Sequence, residues 1–392
     1  MSTLKTSVLG IEFENPFILA SAPPTAKIES IDKAFELGWG GAVFKTITPD
    51  NLEMTEASQR YATWKVGSKV CGFENIELLS HLTVQEWLDG IKYLRRKHPS
   101  KVQIASIMAP VEKAAWQDLV TTFNNSEIDA FELNFSCPHG MPEKGIGMAI
   151  GTSSEISAMI TEWVMQVATK PVFVKLSPNV SDIVKIAKAV EKAGASGLAA
   201  INTVQSLMGV NLDTFEPMPN VNGKSTFGGY SGIAVKPIGL RCVAQIRQNS
   251  NLPILGIGGI STWQDAAQYI TVGADVVQIC TEVMINGYQI IEPLKKGLLS
   301  YLENKGFNSP ADLKNKAIDK LTAHKALDKS KQVYPHIKDD ICAACGRCVT
   351  ICDQSEHSAL SLVNGHIVVN QDACVGCSLC SHVCAKNAIT MK

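Results

Sequence analysis

This 392-residue chain has no long hydrophobic run; Gly, Lys or Asp breaks each apolar stretch within a few residues, whereas a membrane helix needs about 20. The N-terminus, "MSTLKTSVLGIEFENPF", lacks the apolar core of a signal peptide. No sign of charge dominates either. With 36 Lys and Arg against 37 Asp and Glu, the formal charge is −1, which argues against a nucleic-acid footprint. The G-x-G-x-x-G fingerprint of pyridine-nucleotide binding is missing: "GIGGIS" has the wrong spacing, and "KGIGMAIG" follows Cys137 rather than joining a strand to a helix. Cysteine is scarce through the first 340 residues, where only Cys71, Cys137, Cys242 and Cys280 occur. What remains is a globular chain expected in the cytoplasm, long enough for one large domain and one small one.

Up to about residue 300, short apolar runs alternate with amphipathic helical stretches such as Ile183–Ala193. The runs are Phe17–Ala22, Ala42–Ile47, Gln103–Met108, Ala130–Ser136, Val172–Ser177, Gly197–Thr203, Ile254–Ile260 and Val276–Thr281. Near-continuous apolarity is the mark of strands buried on both faces. Eight strand-then-helix units predict an α/β fold, a (β/α)8 TIM barrel, ahead of a doubly wound open sheet.

The strands end on polar groups: Ser21, Lys45 with Thr46, Asn134 with Cys137, Lys175 with Ser177, Asn202 with Thr203, Gly258 with Gly259, and Thr281. A barrel collects these ends on one rim, where active sites form. Glycines and a hydroxyl after the seventh and eighth strands suit a phosphate cradle.

Residues 301–335 predict a solvated helical connector, in which Ser309 caps a helix starting at Pro310. Residues 336–392 then hold the other eight cysteines, as "CAACGRCVTIC" and "CVGCSLCSHVC". Both runs have the C-x2-C-x2-C-x3-C spacing of bacterial ferredoxins, in which the fourth cysteine ligates the other cluster. The pattern predicts a small ferredoxin-like α+β domain with two 4Fe–4S clusters. Cys342, Cys345, Cys348 and Cys384 would hold one cluster, and Cys352, Cys374, Cys377 and Cys380 the second. Zinc, the alternative, usually takes C-x2-C pairs from two separated knuckles. Asp353 and Ala385 stand where a proline often follows the fourth cysteine.

Clusters pass single electrons, so the barrel needs a cofactor that gathers them into a two-electron reduction, and FMN fits a phosphate cradle. Lys175 would stabilise the anionic reduced flavin. A thiol with a reference pKa of about 8.5 stays protonated at neutral pH, so Cys137 can serve as general acid. Asn134 and Asn202 offer donors and acceptors for a planar substrate with alternating C=O and N–H groups.

The segments "NPFILASAPPT", "FKTIT", "ENIELLS", "ELNFSCPHGM", "VKLSPN", "INTV", "GGYSG" and "GIGGI" resemble the dihydroorotate dehydrogenase superfamily and, within it, the dihydropyrimidine dehydrogenases. The resemblance spans nearly the whole chain. It implies reduction of uracil or thymine at the 5,6 double bond, with Cys137, Lys45 and Lys175 as the catalytic set. Ala20, Ser21, Lys45, Asn134 and Lys175 would contact FMN, with Gly232, Gly258, Gly259, Cys280 and Thr281 around its phosphate and ribityl chain. Asn75, Asn134, Asn202 and Thr203 would hold the pyrimidine, with Glu77 adjacent. Cys137 would ride on a loop running to about Ile150, flanked by Ser136 and His139. Cys242 reads as a small buried side chain in a helix, and Cys71, in a loop before Asn75, has no assigned role.

In single-chain relatives the nucleotide and FAD modules are fused ahead of the barrel, and this chain starts directly at the barrel. The expected partner is therefore a second polypeptide that binds NAD(P)H and FAD and feeds the clusters; a homodimer through the barrel is a further possibility. Three alternatives stay open: dihydroorotate oxidation, against which "SCPHG" and Glu77 speak; a reductase of a related heterocycle; and an electron-transfer subunit whose barrel no longer turns over substrate.

Overall fold

The computed structural model describes residues 2–52, 55–135 and 147–392. It contains two compact units, residues 1–320 and 321–392.

In the first unit, eight parallel strands among the described residues close into a barrel. They are β1 (Phe17–Leu19), β2 (Gly41–Val43), β3 (Val102–Ile107), β4 (Ala130–Asn134), β5 (Val172–Leu176), β6 (Gly197–Ala200), β7 (Ile254–Ile257) and β8 (Val276–Ile279). Each pairs with its sequence neighbours, and β8 closes on β1. The strands are shorter at their ends than the apolar runs suggest, because the ladder stops before the chain turns at the rim.

A helix follows each strand: α1 (Ile28–Leu37), α2 (Val84–Lys97), α3 (Lys113–Asn124), α4 (Ser154–Met165), α5 (Ile183–Lys192), α6 (Lys236–Arg247), α7 (Trp263–Thr271) and α8 (Ile291–Lys305). Local sequence explains their limits. Thr83 and Glu86 form a capping box at the start of α2, whose Trp87, Ile91 and Leu94 recur at helical spacing and are buried. Asp182 accepts from Val184 N and Lys185 N to start α5. Gly38, at φ 102°, ends α1 in the left-handed region.

The barrel interior has two storeys. Ile18, Val43, Ile104, Phe173, Leu255 and Val276 pack a dry lower core, and Val8 and Phe13 join it from the hairpin of Thr6–Val8 and Ile11–Phe13. Side chains two residues apart on a strand share a face. One step beyond this core the inward positions are therefore Ala20, Lys45, Ser106, Glu132 and Lys175, with Gln278 on β8. The polar upper storey is a direct result of strand parity.

Beside the barrel stands an antiparallel sheet in the order Val204–Ser206, Gly228–Ser231, Lys69–Asn75, Tyr61–Val66. Cys71 lies in its third strand, not in a loop. Cys242 is fully buried in α6. The helix after Ser309 is only Pro310–Leu313. Residues 301–320 belong to the barrel unit: Leu313 is buried, Lys314 pairs with Asp275, and Ala317 N donates to Thr271 O.

The second unit has two small antiparallel pairs, Pro335–Ile337 with Ile389–Met391 and Leu360–Val363 with His366–Val369. Helices Arg347–Gln354 and Leu379–His382 begin within the two cysteine runs. Among the described residues no helix is long and apolar enough to cross a membrane.

Candidate active site

One pocket at the carboxyl rim of the barrel is lined by Ala20, Ser21, Lys45, Asn75, Glu77, Asn134, Lys175, Asn202, Thr203, Gly232, Gly258, Gly259, Cys280 and Thr281. Every described site residue of the barrel singled out from the sequence therefore meets in one place. Cys137, with Ser136 and His139, lies outside the described residues.

The pocket floor is cationic but compensated. Lys45 Nζ is 3.0 Å from Glu77 Oε1, both nearly buried. Lys175 Nζ is 3.3 Å from Glu132 Oε1. Asn134 is anchored from below: its Nδ2 donates to Thr46 Oγ1 at 2.9 Å, and Thr46 Oγ1 also lies 2.9 Å from Ser106 Oγ and 3.2 Å from Ser21 Oγ. Asn202 Nδ2 donates to Asn134 Oδ1 at 3.3 Å, while Asn202 Oδ1 accepts from Thr203 N at 2.8 Å. Asn75, at the end of its strand, donates from Nδ2 to Gly229 O at 3.2 Å. Fixing each amide this way settles which face is donor and which acceptor.

The corner beyond β7 and β8 is built on glycine. Gly232, Gly258 and Gly259 have φ of 92°, 126° and 68°. A Cβ on Gly259 would come within 2.7 Å of Lys236 N and 2.8 Å of Gly232 O, so backbone fills the space a side chain would take. Thr281 Oγ1 donates to Ser231 Oγ at 2.8 Å in the same corner. Just before α7, Ser261 N and Thr262 N are already used, since both donate to Asp265, which pairs with Lys236 at 2.6 Å. Burial pushes the Cys280 thiol up to about 11, against the opposing pull of Lys175 and Lys45. Two lysines at the centre and a side-chain-free corner at the rim fit a flat ring system joined to a phosphate, which is the shape of FMN.

Sequence reasoning passed over Glu132, Gln278 and Tyr61. The signal for Glu132 was its i, i+2 relation to Asn134. Tyr61 lines the pocket, and burial with the neighbouring Glu77 carboxylate raises its phenol pKa.

In the second unit the eight cysteines are free of disulfides. Burial, then the neighbouring thiols Cys342 and Cys345 after local backbone hydrogen bonds that oppose it, governs Cys348, whose pKa is raised. Cys380 is raised by burial too, with Cys377, Cys348 and Cys352 nearby. Cys352 Sγ accepts from Ala359 N at 3.4 Å and Cys384 Sγ from Ala388 N at 3.3 Å. Such N–H···S bonds suit thiolates of an iron–sulfur centre. Among the described residues, no three His, Cys, Asp or Glu side chains are gathered as ligands of a single ion.

Residues 3–302 match the family model described as dihydroorotate dehydrogenase, and residues 335–391 match that of a 4Fe-4S dicluster domain. The chain belongs to the dihydroorotate dehydrogenase family. Its barrel and its 4Fe-4S domain are those of an oxidoreductase. Among curated relatives of this family, the NAD-dependent dihydropyrimidine dehydrogenase subunit PreA of Escherichia coli K12 is 39% identical over 361 residues, covering 91% of this chain and 87% of the relative. The chloroplastic dihydropyrimidine dehydrogenase (NADP(+)) of Arabidopsis thaliana is 36% identical over 341 residues, covering 84% and 80%. The catalytic subunit of dihydroorotate dehydrogenase B (NAD(+)) from Pyrococcus furiosus is 36% identical over 313 residues, covering 79% and 97%.

Proposed function

We propose that this chain reduces the 5,6 double bond of uracil or thymine, using electrons that enter through two 4Fe–4S clusters. The observation that carries the reading is the Lys45–Glu77 pair at 3.0 Å in a pocket otherwise edged by Asn75, Asn134, Asn202 and Thr203. A neutral pyrimidine base presents alternating N–H and C=O groups, which asparagine amides and a carboxylate can match. Dihydroorotate carries a carboxylate of its own. Glu77 would repel it and already occupies the cation that could receive it. The relatives lean the same way: the dihydroorotate relative is matched over 97% of its length yet reaches only 79% of this chain, whereas the E. coli dihydropyrimidine relative reaches 91%.

Ala20, Ser21, Lys45, Asn134 and Lys175 and the Gly232, Gly258, Gly259, Cys280 and Thr281 corner would hold FMN, which would supply hydride chemistry at one carbon of the double bond. Cys137 gives the proton from its thiol to the neighbouring carbon. Asn75, Asn134, Asn202 and Thr203 hold the base in plane, and Glu77 accepts from a ring N–H. Lys45 and Lys175 offset negative charge that gathers in the pocket during reduction. Cys342, Cys345, Cys348 and Cys384 would hold one cluster, and Cys352, Cys374, Cys377 and Cys380 the other. A second polypeptide binding NAD(P)H and FAD supplies the electrons, in the cytoplasm. The support for that partner is the missing dinucleotide fingerprint and the word "subunit" in the E. coli relative's name.

The test is reoxidation of anaerobically photoreduced holoprotein. Uracil should reoxidise it and orotate should not. Reoxidation by orotate would favour the dihydroorotate reading, and by neither an electron-transfer role. With dithionite-reduced viologen the chain alone should turn over uracil, and with NADH or NADPH scarcely at all. Full-rate oxidation of NAD(P)H by the pure chain would overturn the two-polypeptide reading.

A further inference from the structure

Glu132 is the most deeply placed charge in the upper storey of the barrel. It lies in the middle of β4, two residues before Asn134, and is wholly inaccessible to solvent. Its two oxygens face two other strands. Oε1 is 3.3 Å from Lys175 Nζ on β5, and Oε2 accepts from Gln278 Nε2 on β8 at 2.6 Å. Gln278 is also buried. The three side chains thus form a line across the barrel interior, with Lys175 and Gln278 in the pocket lining at its two ends and Glu132 behind them.

Stability alone does not account for this line. A buried ion pair repays its desolvation poorly, and apolar side chains of similar volume do as well or better. The lower storey shows that this barrel fills its interior with Ile, Val, Leu and Phe where nothing else is required. A carboxylate directly behind a pocket lysine does something an apolar side chain cannot: it subtracts from the field the lysine projects. Lys45 has the same arrangement, with Glu77 at 3.0 Å. Among the described residues, each pocket lysine is therefore backed by a carboxylate. The two differ in place, since Glu77 is itself in the pocket lining whereas Glu132 lies behind it.

We propose that Glu132, held by Gln278, is a positioning residue that fixes the Lys175 ammonium and offsets its charge, and so holds down the reduction potential of a flavin bound in the pocket. The inference rests on the reading of that pocket as the FMN site. An unbalanced lysine there would favour the anionic reduced flavin over the neutral oxidised one; the carboxylate behind it moderates that preference.

The test is an anaerobic redox titration of the intact holoprotein, following the flavin. Glu132→Gln keeps the shape and an acceptor for Gln278 and deletes the charge. Reduced FMN should then gain about tenfold in affinity relative to oxidised FMN, an upward shift of about 30 mV for a two-electron couple. Glu132→Asp, which keeps the charge, should shift the potential less than Glu132→Gln does. A purely structural residue would lower the melting temperature in these variants and leave the potential in place. An unchanged or lowered potential in Glu132→Gln overturns the proposal.

Should Glu132→Gln not yield folded holoprotein, the pairing is tested from the other side. Lys175→Met strands a buried carboxylate, so Lys175→Met/Glu132→Gln should melt at a higher temperature than Lys175→Met alone. An equal or lower melting temperature for the double variant overturns the pairing. Wild-type protein that binds no FMN overturns the pocket reading and this inference with it. FMN-replete protein whose potential ignores residue 132 overturns the inference alone.

Discussion

In the barrel unit, Trp39, Trp87, Trp116 and Tyr269 are wholly buried, and apolar side chains fill both the barrel interior and the layer between strands and helices. In residues 321–392 the buried cluster is Cys348, Leu360, Ile367, Cys380 and Ile389, so two of its five members are cysteines. The barrel buries enough apolar surface to fold on packing alone. The second unit has short strands, two short helices and few apolar residues, and a unit so small needs a staple. Under the proposed function the same residue type would do different work in the two regions: thiolates as structural ligands in one, a thiol as proton source in the other.

The largest expected effect breaks the comparison at its weak end. Anaerobically purified protein should carry about eight irons per chain if both runs form 4Fe–4S clusters. Removing the iron, or substituting Cys348→Ala together with Cys380→Ala, should leave residues 321–392 open to protease while the barrel still melts cooperatively. Metal-ligand free energy is folding free energy in such a unit. Electron delivery from an external donor should vanish. A tail that resists protease without iron would show that its few apolar contacts suffice.

How far each region could be read in advance follows the same division. The eight strand-forming runs were legible because strands buried on both faces are apolar throughout, and the tail because cysteine spacing is a direct record of ligand geometry. The sheet beside the pocket was not. Tyr61–Val66 is exposed at nearly every position, so no alternation marks it, and only the Gly67–Ser68 pair between two β-prone segments signals its hairpin. Its partners Val204–Ser206 and Gly228–Ser231 are brought to it from far along the chain, which no local pattern encodes. Glu132 and Gln278 interrupt apolar runs without any sign in the sequence that one would meet the other across the barrel.

The second effect sharpens the contrast between the two kinds of cysteine. Cys137→Ala should leave FMN and all eight irons bound, unlike any substitution in the tail runs. Turnover should fall by about 10²–10⁴-fold, the usual span for losing a general acid. Flavin and iron content measured beside steady-state uracil reduction separate the two outcomes. Near-wild-type turnover would remove Cys137 from the chemistry.

The smallest effect concerns a term in the barrel unit that is not apolar. Glu74 is fully buried in the pocket-side sheet, where its Oε1 accepts from Ser206 Oγ at 2.9 Å and from Gly228 N at 3.0 Å. Burial raises its pKa above the ordinary 4.5, and these hydrogen bonds only partly oppose that. A carboxyl with a raised folded pKa binds its proton more tightly in the native state than in the unfolded chain. Its contribution to stability is therefore complete below the unfolded value and declines as pH rises through the folded one. Glu74→Gln keeps an acceptor for Ser206 and Gly228 and does not titrate. Melting temperatures of wild type and Glu74→Gln, compared from about pH 4 to pH 8, should show wild type losing ground to the variant as pH rises. The difference should be slight, because one carboxyl changes and the aromatic and aliphatic core does not. It should also persist after the iron is removed, since Glu74, Ser206 and Gly228 all lie in the barrel unit. A wild type that gains on the variant with rising pH would mean that the hydrogen bonds outweigh burial and that Glu74 is held as a carboxylate.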